Sequence, residues 1–356
     1  MRIRSSRKRS RHTRFKHWVR RHKALSTLIV VALLLLALLI AWLIHLNRQL
    51  GEIDRFPLNL DRDGRPAQGV GTNILLLGLD DNDYLDDVGP DMHELVEGEQ
   101  WQAGAFRSDA IMVLHINQDR QQAQLISIPR DSWVTVPGHG KNKINAALSL
   151  GGPELAARTV EDTFDLYLDH VMLIDFQGFR DLSDILDGVK VNVSETTTDT
   201  LSGKVWAAGP HDLKGNDALL FVRQRYGLAG GDFDRMHRQQ AFLKAVLDGV
   251  VSRGTVFNPV RITRLADEAS ELVAVDEHFT TKKMRALAIS SRGLRSHAMR
   301  FLTVPNLGSG TVGKASVVKL DMAKATEMFA AVEADRFEGW YAHNEVDEMA
   351  ANGVVD

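Results

Sequence analysis

No cysteine occurs in the 356 residues, so a disulfide framework, thiol catalysis and thiolate metal sites are all excluded. Acid is absent from the first 51 residues: Glu52 is the first acidic side chain. Charge of either sign is missing from Ala24 to Leu46, ALSTLIVVALLLLALLIAWLIHL. A run of that length spans the hydrocarbon layer of about 30 Å as a helix, and it predicts one transmembrane helix. No small-residue cleavage site follows it, since the flank is His45-Leu46-Asn47-Arg48, so the helix reads as a retained anchor and not a signal peptide. Internal repeats are absent, and so is low complexity outside the basic tail.

Eleven cations precede the run: Arg2, Arg4, Arg7, Lys8, Arg9, Arg11, Arg14, Lys16, Arg20, Arg21 and Lys23. They hold residues 1–23 in the cytoplasm and send the rest of the chain outside. With the total at −3, these eleven leave −14 on residues 24–356. The outer domain is therefore acidic. A juxtamembrane basic run suits topology and anionic headgroups, and nucleic acid is not an expected partner. Residues 47–71, with Pro57, Gly64, Pro66, Gly69 and Gly71, read as a linker.

The domain is expected over residues 72–337, followed by a loose acidic tail at 338–356. Asn73 to Leu77 and Ala110 to Ile116 read as buried strands, with an irregular acidic excursion from Asp81 to Gly104 between them. The turn at Asn117-Gln118-Asp119-Arg120 leads into a third strand, Leu125 to Ile128. This up, down, up path gathers Asp80, Arg107, Asp109, Arg130 and Asp131 at one sheet edge. Helices at Pro153 to Phe164 and Gly178 to Leu186 alternate with strands at His170 to Phe176 and Val189 to Val193. Further helices are expected at Val260 to Leu272 and Thr281 to Ser290, with a strand at Met299 to Val304. The alternation predicts an α/β fold with layered α-β-α architecture around a central mixed sheet.

Two constellations suit anions. Phe221 to Gln240, FVRQRYGLAGGDFDRMHRQQ, carries Arg223, Arg225, Arg235 and Arg238 around a glycine loop, and Asp232-Phe233-Asp234 caps the helix that follows. Guanidinium forks match phosphate oxygens, and in an acidic domain their concentration points to a bound anion. On that helix Arg235, Arg238 and Gln239 share a polar face. Asp80 and Asp109 are hard oxygen donors suited to Mg²⁺. Lys141 to Ala147 reads as a helix start, on which Lys143 either reaches a phosphate or faces solvent.

Residues 73–80 (NILLLGLD), 107–109 (RSD), 127–132 (SIPRDS), 143–147 (KINAA) and 223–240 together resemble the LytR-CpsA-Psr family. Family members commonly show an acidic residue and an arginine where this chain has Asp81-Asn82-Asp83. The resemblance implies an Mg²⁺-dependent phosphotransferase that moves a glycopolymer from a polyprenyl-pyrophosphate carrier to peptidoglycan in the cell wall. It implies that Asp80 and Asp109 hold the metal and that Arg107, Arg130, Arg223, Arg225, Arg235 and Arg238 clamp the pyrophosphate. It further implies that Lys143 assists, that Asp232 and Gln239 orient arginines and that apolar parts of the domain bury the isoprenoid; Asp109 or Asp234 is the candidate to accept the proton of the attacking hydroxyl. Water in place of the sugar hydroxyl makes the same site a pyrophosphatase. The other alternative is a membrane-bound regulator, but a 23-residue tail has no room for a helix-turn-helix. The topology predicts that a phosphatase reporter fused at the C-terminus is active only outside the membrane; a reporter active in the cytoplasm refutes it.

Overall fold

In the computed structural model the described residues are 41–42, 44–80, 107–175, 178–251, 258–349 and 354–355. The basic tail, most of the expected transmembrane run and the excursion from Asp81 to Gly104 lie outside them. Among the described residues no helix is long and apolar enough to cross a membrane. Two compact units divide the chain at Gly51: in the first, residues 44–51 are helical, and the second is the domain described below.

The centre of the domain is a seven-stranded mixed sheet. In chain order its strands are β1 (Asp54–Phe56), β2 (Thr72–Asp80), β3 (Arg107–Ile116), β4 (Ala123–Ile128), β7 (His170–Asp175), β12 (Val273–Asp276) and β13 (Met299–Thr303), arranged β1-β12-β7-β2-β3-β4-β13. β2, β3 and β4 form an antiparallel meander, while β7 lies parallel to β2 and β13 parallel to β4. Apolar residues run without a break along β2 because the sheet is covered on both faces. Leu75, Leu77 and Leu79 enter one core, and Leu76 packs against the other.

On the first face lie α1 (Ala146–Phe164), α7 (Met322–Glu333) and α8 (Phe337–Tyr341), which supply Phe164, Phe329 and Phe337. α1 bends at Gly151-Gly152, just before Pro153. The second face is covered by α2 (Gly178–Ile185), α3 (Asn216–Arg223) and α4 (Asp232–Val251), whose Phe179, Phe221 and Phe242 fill the core. α5 (Pro259–Leu272) packs beside α2, and α6 (Thr281–Ser290) follows β12. A smaller sheet is built from β8 (Val189–Val193), β11 (Gly209–Leu213) and β16 (Val354–Val355). Three two-stranded ribbons complete the fold: β5 (Trp133–Val136) with β6 (Gly140–Lys143), β9 (Thr197–Thr198) with β10 (Val205–Trp206), and β14 (Asn306–Val312) with β15 (Ala315–Leu320).

Three expectations are corrected. The linker ends early: β1 pairs with β12, Phe56, Leu58 and Leu60 are buried, and Arg62 and Arg65 reach the buried Glu161 at 3.3 and 2.9 Å. Lys141 to Lys143 belong to the strand β6, and the helix begins at Ala146. Residues 338–349 are packed: Arg300 spans Glu338 at 2.8 Å and Glu348 at 3.1 Å, His237 meets Asp347 at 3.0 Å, and the Met349 amide donates to Phe301.

Arg300 holds the Glu338 carboxyl below its ordinary value through its hydrogen bond, against a smaller opposing effect of burial. At Asp347 burial raises the carboxyl, but His237 and Thr303 outweigh it and the value falls. A depressed carboxyl contributes stability above its unfolded pKa and loses it as pH falls through the folded one. Hydrogen exchange across residues 337–349 is expected to stay slow down to about pH 4 and to accelerate below it. Protection that fades between pH 8 and 6 instead contradicts this.

Candidate functional site

At the backbone level the sheet edge gathers the residues as expected. Asp80, the last residue of β2, lies opposite Arg107, the first of β3, and a register shift between Gly78 and Leu79 accompanies this end of the pair. β4 ends at Ile128, and Pro129-Arg130-Asp131 follows beside the start of β3. The segment is fixed from two sides: the Asn145 amide donates to the Arg130 carbonyl, and the Val318 amide donates to that of Asp131. The side chains of Asp80 and Arg107 lie outside the described residues.

Opposite the edge stands the N-terminus of α4, whose first turn carries Asp232 and Asp234 where the helix dipole favours negative charge. The two sides meet in an ion cluster. Arg130 donates to Asp109 in a short contact, and its Nε lies 3.5 Å from Asp232. Arg235 reaches Asp232 at 2.7 Å and Asp109 at 3.7 Å, and Arg225 reaches Asp232 at 3.8 Å. Three guanidiniums thus share two carboxylates.

Arg235 is 5% exposed, and its Nε has no hydrogen-bond partner among the described residues. Burial pulls its guanidinium below the ordinary value; Arg130 and Arg225 add to this, while Asp232 and Asp109 oppose it. Arg130 is also desolvated by burial, yet Asp109 and then Asp232 hold it above its ordinary value. An orphaned guanidinium N–H inside a cationic cluster can donate to an anionic oxygen.

The other expected residues sit around this centre. Lys143 pairs with Asp131 at 2.9 Å, at the rim. Arg238 is fully buried: it donates to Gln224 at 2.6 Å and to Thr197 at 2.8 Å, and its guanidinium lies 4.6 Å from the Phe221 ring centre. That environment fastens α4 to α3 and to the β9-β10 ribbon. Arg223 is buried at the end of α3. The polar face expected on α4 is therefore turned inward, with Arg235, Arg238 and Gln239 all buried. Asp234 accepts the amide proton of Gly230 at 2.6 Å and acts as the clasp of the glycine loop. A side chain at Gly230 would collide with that carboxylate.

Two openings adjoin the cluster. Leu76, Gly78, Ala110, Met112, Ile174, Phe179 and Leu243 enclose a narrow apolar cavity of ≈ 20 Å³, into which Gln239 also faces. Gln239 Oε1 has no partner there among the described residues, while its Nε2 donates to the Val222 carbonyl at 3.4 Å. On the other side a polar cleft of ≈ 320 Å³ lies between the 225–233 segment and the β14-β15 ribbon. Sequence reasoning missed Thr197, Gln224, Tyr226 and the ribbon. None of them carries a charge pattern, and only tertiary pairing brings them to the site.

A layered α/β/α domain with an arginine-carboxylate site at a sheet edge is what fold and site define. The LytR_cpsA_psr family profile matches residues 55–334, and the chain belongs to that family. It is 36% identical over 265 residues to the probable cell wall biosynthesis protein LcpB of Corynebacterium glutamicum, covering 74% of this chain and 61% of that one. To the polyisoprenyl-teichoic acid–peptidoglycan teichoic acid transferase TagU of Oceanobacillus iheyensis it is 31% identical, over 64% of this chain and 69% of the relative. The chain spans only 61% and 56% of the two corynebacterial relatives, LcpB and LcpA. Among solved structures, Bacillus subtilis TagV superposes with a TM-score of 0.58 at 24% identity, over 76% of this chain and 99% of that one. The LytR-Csp2A-Psr enzyme of Actinomyces oris gives 0.58 at 21% identity, over 79% and 97%. These likenesses agree in the mixed α/β fold.

Asp232→Asn removes the closest anionic partner of a buried arginine. It is expected to cost about 3–5 kcal/mol in urea denaturation, since it leaves an uncompensated buried charge, and inorganic pyrophosphate is expected to recover part of the loss. Unchanged stability in the variant means that Asp232 does not hold the cluster.

Proposed function

We propose that the chain is a phosphotransferase that moves a glycopolymer from a polyprenyl-pyrophosphate carrier to peptidoglycan, at the outer face of the cell membrane. The observation that carries the reading is the cluster in which Arg130, Arg225 and the buried Arg235 share Asp109 and Asp232, flanked by an apolar cavity and a polar cleft. An amphiphile with a pyrophosphate at its middle matches that order. Support also comes from relatives whose names state cell wall biosynthesis and teichoic acid transfer to peptidoglycan. The membrane anchoring of the reading comes from the sequence: the apolar run after the basic tail keeps the domain beside its lipid-carried substrate.

Arg130, Arg225 and Arg235 neutralise the pyrophosphate oxygens, and the orphaned Nε of Arg235 supplies one donor at no cost in broken hydrogen bonds. A sugar hydroxyl of the acceptor attacks the sugar-linked phosphorus. The new O–P bond forms as the bridging P–O bond breaks, and polyprenyl phosphate leaves. Most of the acceleration in this scheme is positioning and charge neutralisation. Asp109 is too strongly paired with Arg130 to be an effective base, and Asp234 is engaged by Gly230, so the hydroxyl proton passes to solvent or product phosphate.

Mg²⁺ fits the donor set as far as it is described. Asp80 and Asp109 are oxygen donors whose backbones flank one sheet end, and among the described residues Arg235 approaches Asp109 Oδ2 at 3.7 Å. Bound there, the ion would add positive charge beside the pyrophosphate. The lipid side requires movement, because a cavity of ≈ 20 Å³ admits an isoprenoid only if α2 or α4 shifts from the sheet.

Arg130→Ala is expected to abolish transfer from a defined lipid-linked donor to peptidoglycan, by at least about 10²-fold in kcat/KM, while circular dichroism stays that of a folded domain. Wild-type transfer by Arg130→Ala and by Arg225→Ala removes the arginine clamp from the mechanism. Release of free glycopolymer without transfer, under conditions that support peptidoglycan binding, identifies a hydrolase instead.

A further inference from the structure

The polar cleft on the far side of α4 is not used by any step above. Its floor is apolar, from Pro129, Met236, Val317 and Val318, all buried. Its rim is uncharged and hydroxylic on one wall, where Ser309 and Ser316 are exposed on β14 and β15. The opposite wall is the glycine loop and Tyr226. That tyrosine is 51% exposed, yet its backbone is held: Gln224 Nε2 donates to its carbonyl at 3.2 Å, and at Gly227, with φ +82, a side chain would collide with the Thr198 carbonyl. An aromatic ring held half in water on an anchored backbone is a platform, and its neighbour Arg225 lies 6.0 Å from the ring centre.

The ribbon is fixed in place. Ser309 pairs with Val318 across it, Val318 bridges to Ser132, and the Val318 amide donates to Asp131, next to Arg130. The cleft also shares Arg225 and Asp232 with the cluster, so whatever fills it touches the pyrophosphate site. At ≈ 320 Å³ it falls within the range of ligand clefts, which begins at about 300 Å³. Apolar floor, aromatic wall and scattered hydroxyls, with Asp131, Arg225 and Asp232 at the end shared with the cluster, match a pyranose ring, whose faces are C–H and whose edge is hydroxyl. An acidic peptide would meet Asp131 and Asp232, and a lipid would meet the hydroxyl wall.

We propose that this cleft is a carbohydrate subsite, in which Tyr226 stacks a pyranose and Ser309 and Ser316 hydrogen-bond its hydroxyls, seating the sugar against the reacting pyrophosphate. The assignment rests on the phosphotransferase reading. The sugar comes either from the acceptor glycan or from the first residue of the carried polymer.

The test uses the full chain in detergent, wild type and two variants: Tyr226→Ala, which removes the platform, and Ser316→Trp, which fills the cleft from an exposed ribbon position. Loss of a stacking partner is expected to raise KM about tenfold for the sugar that binds there. A rise for the peptidoglycan acceptor assigns the acceptor sugar, and a rise for the lipid-linked donor assigns the donor sugar. KM values within twofold of wild type for both substrates, in both variants, overturn the subsite. In parallel, saturation-transfer NMR of a β-1,4-linked N-acetylglucosamine tetramer is expected to show contact with wild type and not with Ser316→Trp. Farnesyl pyrophosphate affinity, compared between wild type and Arg130→Ala, reports the arginine cluster alone. If Arg130→Ala leaves that affinity unchanged while the tetramer still loses contact in Ser316→Trp, the phosphotransferase reading fails and the carbohydrate site stands.

Discussion

One carboxylate organises the site. Asp232 stands at the start of α4 and lies within 3.8 Å of Arg130, Arg225 and Arg235, which come from the end of β4, the loop after α3 and the next turn of its own helix. Without a shared anion these three guanidiniums would repel one another in a low-dielectric setting. With it they converge, but among the described residues the guanidiniums outnumber the carboxylates they pair with, and one buried N–H has no acceptor. The cluster therefore carries an electrostatic cost at the sheet edge that a bound anion would relieve. Local instability of this kind is tolerated where function requires it, and the hydrophobic cores on both faces of the sheet provide the compensating stability.

The position of Asp232 depends in turn on uncharged contacts. Arg238, one turn deeper, is fastened by Gln224, Thr197 and the face of Phe221, and Gln240 donates to Ser127 at 2.8 Å and to the Leu302 carbonyl at 2.9 Å. These bonds fix the rotation and height of α4 relative to β4 and β13. A helix free to turn by one residue would swing Arg235 about 100° away from Asp109. The contacts of Arg238 with Gln224, Thr197 and the face of Phe221 thus hold the turn of α4 that follows Arg235.

Legibility from sequence followed the range of the interaction. The β2-β3-β4 meander was readable because each strand is an apolar run and each connection is local, and that path alone brought Asp109 and Arg130 to one edge, where they pair. The linker was misread because its prolines and glycines outweighed a weak signal. Phe56, Leu58 and Leu60 alternate, which is the mark of an extended segment against a core. The C-terminal segment had no such mark. Glu338, Asp347 and Glu348 look like a solvated acidic tail until Arg300 and His237, from distant elements, are known to face them. Lys143 lies on a strand and not at the expected helix start, because a segment of the sequence Gly-Lys-Asn-Lys has neither apolar alternation nor β-branched residues to mark it as one.

The arrangement of the two openings places a limit on any mechanism. α4 separates them: Gln239 faces the apolar cavity, and Asp232 and Met236 face the cleft. On the proposed reading a pyrophosphate at the arginines sits beside the first turn of α4, with the lipid toward Gln239 and the sugar toward Asp232 and Met236. Movement of α4 that widens the narrow cavity also shifts Asp232 and Arg235, since they ride on the same rigid helix. On the proposed reading, that geometry couples entry of the lipid to assembly of the charge cluster, so the length and fit of the isoprenoid should govern the chemical step as well as binding. A carrier too short to fill the cavity is then a poorer substrate in kcat and not in KM alone.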